Sequence, residues 1–234
     1  MGYRALKQTT IYWAFDGKYQ IRAEEPVPII QNYFKNKEAK DYEYMRCPSF
    51  QEQFYNTYGI KSIFDYNVKF QKNGITSDKH DQNFYDEFVN PRNVKSKLAS
   101  FNMSYVFLAD NNDLEMEYLQ PTMEDNSFNN SAILIPGKIN IGKYVRPLDC
   151  AFHARDTRVE IEENDIYAYV KFNTKKKIKF KRFFYTEELQ DVMTGQRIAE
   201  YRKKTFKPLD WFYKKQQAIK VKERTVKLIK KNLV

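Results

Sequence analysis

The stretch that decides the fold is residues 131–172, SAILIPGKINIGKYVRPLDCAFHARDTRVEIEENDIYAYVKF. An apolar run ends at Pro136-Gly137, a dipeptide that marks a turn. From residue 144 onward apolar and polar side chains alternate, with a polar turn at residues 162–165. Alternation with a period of two is typical of β-strands that bury one face. The stretch predicts β-structure and identifies no chemistry.

The same periodicity, read outward from this stretch, predicts strands along most of the chain. The predicted strands are 9–15, 19–23, 65–71, 103–109, 114–118, 132–135, 144–154, 157–162, 166–172 and 177–185. We expect the first two to pair as a hairpin through Asp16-Gly17, and the pair 103–109 and 114–118 to form another. The prediction is a mainly β (α+β) fold, a compact β-barrel or a double-sheet domain.

One short helix is expected at residues 50–58. Ser49 and Glu52 match the pattern of a capping box, and Gly59 stands where a helix C-cap belongs. The apolar residues at helical spacing are Phe50, Phe54 and Tyr58. We therefore expect these three aromatic side chains on one helical face packed against the sheet.

Two polar stretches are predicted as loops. Residues 72–100 form the longer one, with a helical turn at 84–89, and residues 121–131 form the other. Long loops in small domains often carry function. The 72–100 loop is therefore a candidate contact surface.

Positive charge is concentrated at the end of the chain. Residues 175–234 hold 19 of the 40 Lys and Arg residues but only 6 of the 30 Asp and Glu residues, a balance of +13. The chain is thus predicted to divide into a β-rich domain at 1–185 and a basic helical arm at 186–234. We expect two helices in the arm, one at 186–204 that begins after an N-cap threonine, and one at 208–233.

The second arm helix is predicted to be amphipathic. Val226, Ile229 and Leu233 approximate an apolar face that would dock on its own domain or on a sister subunit. The cations of its other face are Lys214, Lys215, Lys220, Lys222, Arg224, Lys227, Lys230 and Lys231. Such a face favours an anionic partner, with nucleic acid as one possibility. A solvated helix surface explains the same pattern.

A second candidate site is a polar cluster on the strand 144–154 and just beyond it. Its members are Arg146, Asp149, His153 and Arg155. Because alternate residues of a strand share a face, Asp149, His153 and Arg155 are expected to point away from Cys150, Phe152 and Ala154. A carboxylate, an imidazole and guanidinium groups on one face could bind a phosphate or a carboxylate. They could equally form cross-strand ion pairs on a solvated sheet.

Sequence signatures of catalysis are missing. The chain contains no P-loop, no GxGxxG, no Gly-x-Ser-x-Gly elbow, no His-Glu-x-x-His and no Cys-x-x-Cys. Cys47 and Cys150 lie far apart, as do His80 and His153, whereas zinc sites use clustered ligands. We expect no catalytic residues, no metal and no cofactor, and we expect both cysteines to be small core residues.

A resemblance to a known family rests on scattered turn and strand motifs. They are Arg46-Cys47-Pro48, Asn56-Thr57-Tyr58-Gly59-Ile60-Lys61, Asp65, Ile135-Pro136-Gly137, Arg146-Pro147-Leu148, and Asn164-Asp165 before Tyr167–Phe172. Over roughly residues 9–190 the chain resembles a family of uncharacterised proteins of T4-like marine cyanophages, related to a bacterial domain of unknown function. The resemblance implies a phage origin and a β-rich fold, and no activity.

A weaker likeness is to β-clip proteins such as the dUTPase family. The rhythm of Pro136-Gly137, strand, turn and Asn164-Asp165-Ile166 is similar to theirs. The chain lacks a Ser-rich phosphate motif and a clear Asp/Tyr catalytic pair. A shared fold would therefore not bring the enzyme's activity with it.

Three classes of function are consistent with these observations. The favoured class is a non-enzymatic, phage-encoded binding protein that acts on a host or phage partner, by protein contact, self-association or nucleic-acid contact. The others are a structural component of the virion and a small-molecule enzyme that binds a nucleotide or a carboxylate. No apolar run approaches the roughly 20 residues that cross a bilayer. We therefore expect a soluble protein of the host cytoplasm or of the virion, with no membrane contact.

Overall fold

The computed structural model describes residues 8–15, 19–31, 46–192, 208, 211, 214–215 and 220–234. Its strands are β1 (Gln8–Phe15), β2 (Val27–Pro28), β3 (Thr57–Lys61), β4 (Tyr66–Gln71), β5 (Gly74–Thr76), β6 (Val89–Asn93), β7 (Leu98–Ala109), β8 (Glu115–Leu119), β9 (Ala132–Leu134), β10 (Gly137–Asn140), β11 (Pro147–Ala154), β12 (Arg158–Ile161), β13 (Ile166–Phe172) and β14 (Lys177–Arg182). Its helices are α1 (Pro48–Gln53), α2 (Gln82–Phe88), α3 (Ser127–Ser131), α4 (Glu187–Val192) and α5 (Val221–Lys231).

The strands form three sheets. The large sheet has the order β14-β1-β7-β11-β9, with β6 also paired to β7, and the second sheet has the order β10-β8-β13-β3-β2. The third sheet is β12-β4-β5. All pairings are antiparallel except that of β1 with β14, which is parallel. The long strand β7 pairs with β6 near its start and with β1 near its end.

The main core lies between the large sheet and the other two. It takes alternate residues of each large-sheet strand, for example Trp13 of β1, Phe101 of β7 and Phe152 of β11, which are 0 to 1 % exposed. Phe101 stacks on Phe152 with ring centroids 4.4 Å apart. The double-sheet prediction is confirmed. No sheet in the described part of the chain closes into a barrel.

The outer face of the large sheet is covered by α4 and α5. Tyr12, Ala14, Val106 and Leu108 of the sheet pack there against Ile229 of α5 and other apolar side chains. The predicted docking of the arm's apolar side onto its own domain is therefore confirmed for α5. Of the predicted face, Ile229 is buried and Val226 is partly buried, whereas Leu233 is exposed beyond the end of the helix. The sequence periodicity explains this, because the buried residues Val221, Thr225 and Ile229 recur every four positions.

The predicted helix at 50–58 is wrong in both its start and its end. It begins at Pro48 after Cys47, whose side chain makes no capping hydrogen bond, and it ends at Gln53. Proline suits the first helical position because its missing N–H has no partner there anyway. Tyr58 lies instead in β3, where it meets Phe172 and Phe180. Long-range pairing of β3 with β13 therefore overrode the local helical spacing.

Neither predicted hairpin forms. Residues 19–22 make a turn, with Arg22 N–H donating to Tyr19 O at 3.0 Å, and β1 pairs with β7 and β14 instead. Asp16 and Gly17 lie outside the described residues. Strands β7 and β8 lie in different sheets. In both cases the sequence contains a turn signal, but the strands pair with distant segments: β1 with β7 and β14, and β8 with β10 and β13.

The two predicted loops contain regular structure. The 72–100 stretch includes β5, α2 and β6 and the start of β7, so only its helical turn is confirmed. The 121–131 stretch ends in α3, where the Asn126 side chain accepts a hydrogen bond from Asn129 N–H at 3.0 Å. Short elements such as these carry too few residues for their periodicity to be recognised in a sequence.

The arm differs from its prediction at Lys220. Thr186 caps α4 as expected, since its hydroxyl accepts from Leu189 N–H at 3.3 Å. The rest of the predicted 186–204 helix, beyond Val192, lies outside the described residues. The prediction of a single helix over 208–233 is wrong. Lys220, immediately before α5, adopts the left-handed conformation with φ 53°, which interrupts a right-handed helix. Cys150 is buried as predicted, whereas Cys47 is exposed.

Candidate functional site

The predicted polar cluster is divided by the structure. Alternation along β11 places Asp149 and His153 opposite the buried Cys150, Phe152 and Ala154, as expected. Arg146 and Asp149 line a cleft at the start of the strand. His153 and Arg155 are exposed at its other end, where Arg155 N–H donates to Ser131 O at 2.8 Å. The four side chains therefore do not form one site.

The cleft lies where the large and second sheets diverge, between β7 and β11 on one side and β8 and β10 on the other. Its volume is about 190 Å³. Its buried wall consists of Tyr105, Phe107, Met116, Ile141 and Leu148, and its partly exposed mouth includes Tyr118, Lys138, Ile139, Tyr144, Arg146 and Asp149. The pairing of β11 with β7 shifts register between Pro147 and Asp149. A bulge of this kind bends a strand and re-aims its side chains, which explains an opening at this point.

Asp149 is the most unusual group at the mouth. Its Oδ2 forms an ion pair with Arg92 of β6. Its Oδ1 is buried and accepts no hydrogen bond from any residue that the structure describes. A buried carboxylate oxygen without a donor is costly. This oxygen is enclosed by the protein, so it is not open to a ligand in the cleft.

Tyr118 and Lys138 complete the polar part of the mouth. Burial raises the pKa of the Tyr118 hydroxyl above its ordinary value, and the nearby Arg146 opposes that rise. A Cβ atom at Gly137 would overlap the end of the Tyr118 ring, so a larger residue there would displace this side chain. Lys138 pairs with Glu117 at 3.1 Å and Glu115 at 3.2 Å. These hydrogen bonds raise the pKa of Lys138, which keeps it charged.

The predicted cationic face of the arm is described in part. Arg224, Lys227, Lys230 and Lys231 are exposed on the side of α5 opposite Ile229, and Lys220 is exposed just before the helix. Lys214 and Lys215 are also exposed, and Lys215 Nζ lies 5.3 Å from the centre of the Trp211 ring. The residues that join these two lysines to Lys220 lie outside the described set.

Lys222 stands apart from its neighbours. Its Nζ donates to Asp110 O at 3.1 Å and to the Asn112 side chain. Burial lowers the pKa of this amine. Lys222 therefore anchors α5 to the turn after β7 and is not part of the open cationic face.

A second row of cations lies on β14, the edge strand of the large sheet. Lys177, Lys179 and Lys181 are in register with Gln8, Thr10 and Tyr12 of β1. Since Tyr12 faces α5, the three lysines point to the same outer face. The sequence reasoning missed this row, although lysine at alternate positions is a signal of an edge strand.

The two rows meet at the end of the chain. Phe184 N–H donates to Asn232 O at 2.9 Å, and Val234 N–H donates to Arg182 O at 3.1 Å. We call the joined rows, together with two lysines of the turn before β14, the basic surface; it comprises Lys175, Lys176, Lys177, Lys179, Lys181, Lys220, Arg224, Lys227, Lys230 and Lys231. None of these ten side chains forms a salt bridge with a carboxylate of the described residues.

The described part of the chain holds neither a cluster of metal ligands nor a helix that could span a membrane. No group of three or more His, Cys, Asp or Glu side chains is arranged there to hold a metal ion. None of the helices described is both long enough and apolar enough to cross a membrane.

No protein-family model, curated protein or solved structure matches this chain.

Proposed function

We propose that this chain is a non-enzymatic binding protein and that its partner is a nucleic acid held on the basic surface. The observation that supports this is a set of ten cations without carboxylate partners among the described residues, eight of them on the outer face of the large sheet and two in the adjoining turn. If these charges served only solubility, cations scattered over the surface or paired with carboxylates would serve equally well. Their clustering therefore favours binding of an anionic partner.

The arrangement of the cations favours a polymer over a small anion. Alternate residues of a strand are about 7 Å apart, so Lys177, Lys179 and Lys181 form a row along β14. Arg224, Lys227 and Lys231 form a second row along α5, because residues three and four apart share a helix face. Several phosphates in sequence can engage both rows at once, and each contact releases counterions. The proposed binding is therefore independent of sequence and sensitive to salt.

The test is a fluorescence-anisotropy titration of single-stranded and duplex DNA at several salt concentrations. We compare the wild type with Lys227→Gln/Lys230→Gln/Lys231→Gln on the helix and with Lys177→Gln/Lys179→Gln on the strand. Each lost phosphate contact should reduce the slope of log affinity against log salt by about 1. We expect the helix variant to bind about tenfold or more weakly at low salt.

The matched control is Lys72→Gln/Lys95→Gln, which removes two exposed charges from loops away from the basic surface. This control should bind as the wild type does. Undetectable binding at low salt, or equal losses in the control and the other variants, would overturn the proposal. Point variants are preferable to removal of the arm, because removal would expose the outer face of the large sheet.

The phage origin implied by the resemblance is part of the same proposal. A protein that works on nucleic acid in the infected cell should be abundant in infected-cell lysate and depleted from purified virions. Mass spectrometry of the two fractions measures this. Enrichment in the virion would favour the structural role instead.

A further inference from the structure

β14 is the last strand of the large sheet, so one of its edges faces away from β1. Phe183 N–H donates to Trp13 O at 3.0 Å, which shows that odd-numbered residues turn their backbone groups toward β1. Because successive residues of a strand alternate, even-numbered residues turn their N–H and C=O groups to the free edge. The hydrogen bonds that Arg182 O and Phe184 N–H make with residues 232–234 have this outward direction.

Both ends of this edge have partners, whereas its middle is open. At one end the Asn56 side chain donates to Lys176 O at 2.9 Å. At the other end residues 232–234 add a short antiparallel segment to the edge. Between these contacts, the outward N–H and C=O groups of Ile178 and Phe180 have no hydrogen-bond partner among the described residues. We call this stretch the open edge.

The side chains along the open edge differ between the two faces of the sheet. Lys177, Lys179 and Lys181 point to the outer face. Ile178 and Phe180 point to the inner face, where both pack against the main core. Side chains directly opposite each other on neighbouring strands lie on the same face. A strand added here would therefore match the edge if it placed carboxylates opposite the lysines and apolar side chains opposite Ile178 and Phe180.

A second copy of this chain does not fit the open edge through its own β14. Antiparallel pairing of two such edges would set lysines opposite lysines, and like charges in that position are destabilising. Lysines on a free edge also discourage indiscriminate strand pairing. A strand that binds here must therefore supply the compensating negative charge.

We propose that the open edge of β14 binds an extended segment of another protein in which acidic and apolar residues alternate. The segment pairs antiparallel, in line with residues 232–234, and its carboxylates lie against the lysines of β14. In recognition of this kind, main-chain hydrogen bonds give affinity and alternate side chains give specificity. The inference does not depend on the proposed function, because phosphates are hydrogen-bond acceptors and cannot pair with the open carbonyls.

The first experiment titrates the full chain with a fluorescent synthetic peptide that alternates glutamate and valine. Its control is the same peptide N-methylated at every valine, because the valines, opposite Ile178 and Phe180, would turn their N–H groups to β14. The methylated peptide keeps its charge and loses those donors. We expect it to bind about tenfold or more weakly, since at least two hydrogen bonds are lost. Equal binding by the two peptides would show attraction by charge alone and would overturn the inference, as would a lack of binding by the unmethylated peptide.

Variants of β14 locate the binding. Ile178→Pro removes one outward N–H and no hydrogen bond to β1, and proline is tolerated at a free strand edge. It should weaken binding of the unmethylated peptide severalfold, whereas Ile178→Val, which keeps the N–H, should bind as the wild type does. The peptide should shift amide resonances of residues 177–181 in ¹⁵N-labelled protein. Shifts confined to other parts of the chain would contradict the proposed edge.

Duplex DNA, titrated into the same proteins, separates this inference from the proposed function. Ile178→Pro should bind DNA as the wild type does, because its cations are unchanged. A wild type that binds DNA but not the peptide overturns the edge inference alone. One that pairs with the peptide but does not bind DNA overturns the proposed function alone. If Ile178→Pro fails to fold, the comparison of the two peptides still decides the test.

Discussion

The two faces of the large sheet differ in how they are covered. The inner face buries large aromatic side chains, including Trp13, Phe101 and Phe152, against two other sheets. The outer face buries a smaller set, centred on Tyr12 and Ile229, beneath two helices. Stabilisation grows with the apolar area removed from water. The helical layer, which carries half of the basic surface, is therefore the less firmly held layer of the molecule.

The largest loss of stability is expected from truncating a side chain on the inner face of the large sheet. Phe101 is fully buried and contacts the rings of Phe152, Tyr66 and Phe128. Phe101→Ala should lower the free energy of unfolding by about 3–5 kcal/mol, because it leaves a cavity between sheets that cannot close. Urea denaturation measures this. A loss below about 1 kcal/mol would mean that the inner face does not dominate stability.

A smaller effect is expected on the outer face. Ile229 of α5 is fully buried against the large sheet. Ile229→Ala should lower the free energy of unfolding by about 2 kcal/mol, the lower end for such truncations, because a surface helix can relax toward the cavity. Native-state hydrogen exchange should show faster exchange of α5 amides with little change in β7 and β13. Lys230→Ala, at an exposed position of the same helix, serves as the control. Equal acceleration in the core strands would contradict the distinction between the two layers.

The smallest effect concerns Tyr12 on the outer face. Burial, with a hydrogen bond of 3.1 Å to Asp110, raises the pKa of its hydroxyl from 10.0 to about 12. Because the folded pKa is the higher one, this contribution to stability is complete below pH 10 and is lost as pH rises toward 12. Tyr12→Phe should cost about 0.5–1.5 kcal/mol at pH 7, from the lost hydrogen bond. It should also make the decline of stability between pH 10 and 12 less steep.

Urea denaturation at pH 7, 10, 11 and 12 tests the expectation for Tyr12. The exposed Tyr55 supplies the control Tyr55→Phe. An alkaline decline of the same slope in wild type and Tyr12→Phe would show that the outer face does not hold Tyr12 as described.

Most strand positions could be predicted from the sequence, whereas their partners could not. Alternation located β4, β11 and β13 to within a few residues, because burial of one face leaves a period of two in the residues themselves. Pairing depends on contacts between distant segments. Strands β12 and β13 follow each other in sequence but lie in different sheets.

The candidate site was predicted in the same uneven way. The residue types at Arg146 and Asp149 and their shared face with His153 were visible in the sequence, but residues four apart in a strand are about 13 Å from each other. His153 therefore lies at the other end of β11, whereas Arg146 and Asp149 lie at a bulge beside the cleft, and that bulge has no local signature in the sequence. The contribution of the β14 lysines to the basic surface was not predicted either, because only their register with β1 shows which face of the sheet they occupy.

What the sequence by itself determined is therefore local: the β-rich class, the amphipathic character of α5, the Thr186 cap and the concentration of positive charge after residue 174. Only the tertiary structure decided that α1 stops at Gln53, that a cleft opens between two sheets, and that charges of a strand and a helix join in one surface. The physical reason is the distance along the chain over which each interaction acts. Propensity, capping and periodicity act within a few residues, whereas the choice of strand partners is made by burying side chains far apart in the chain against one another.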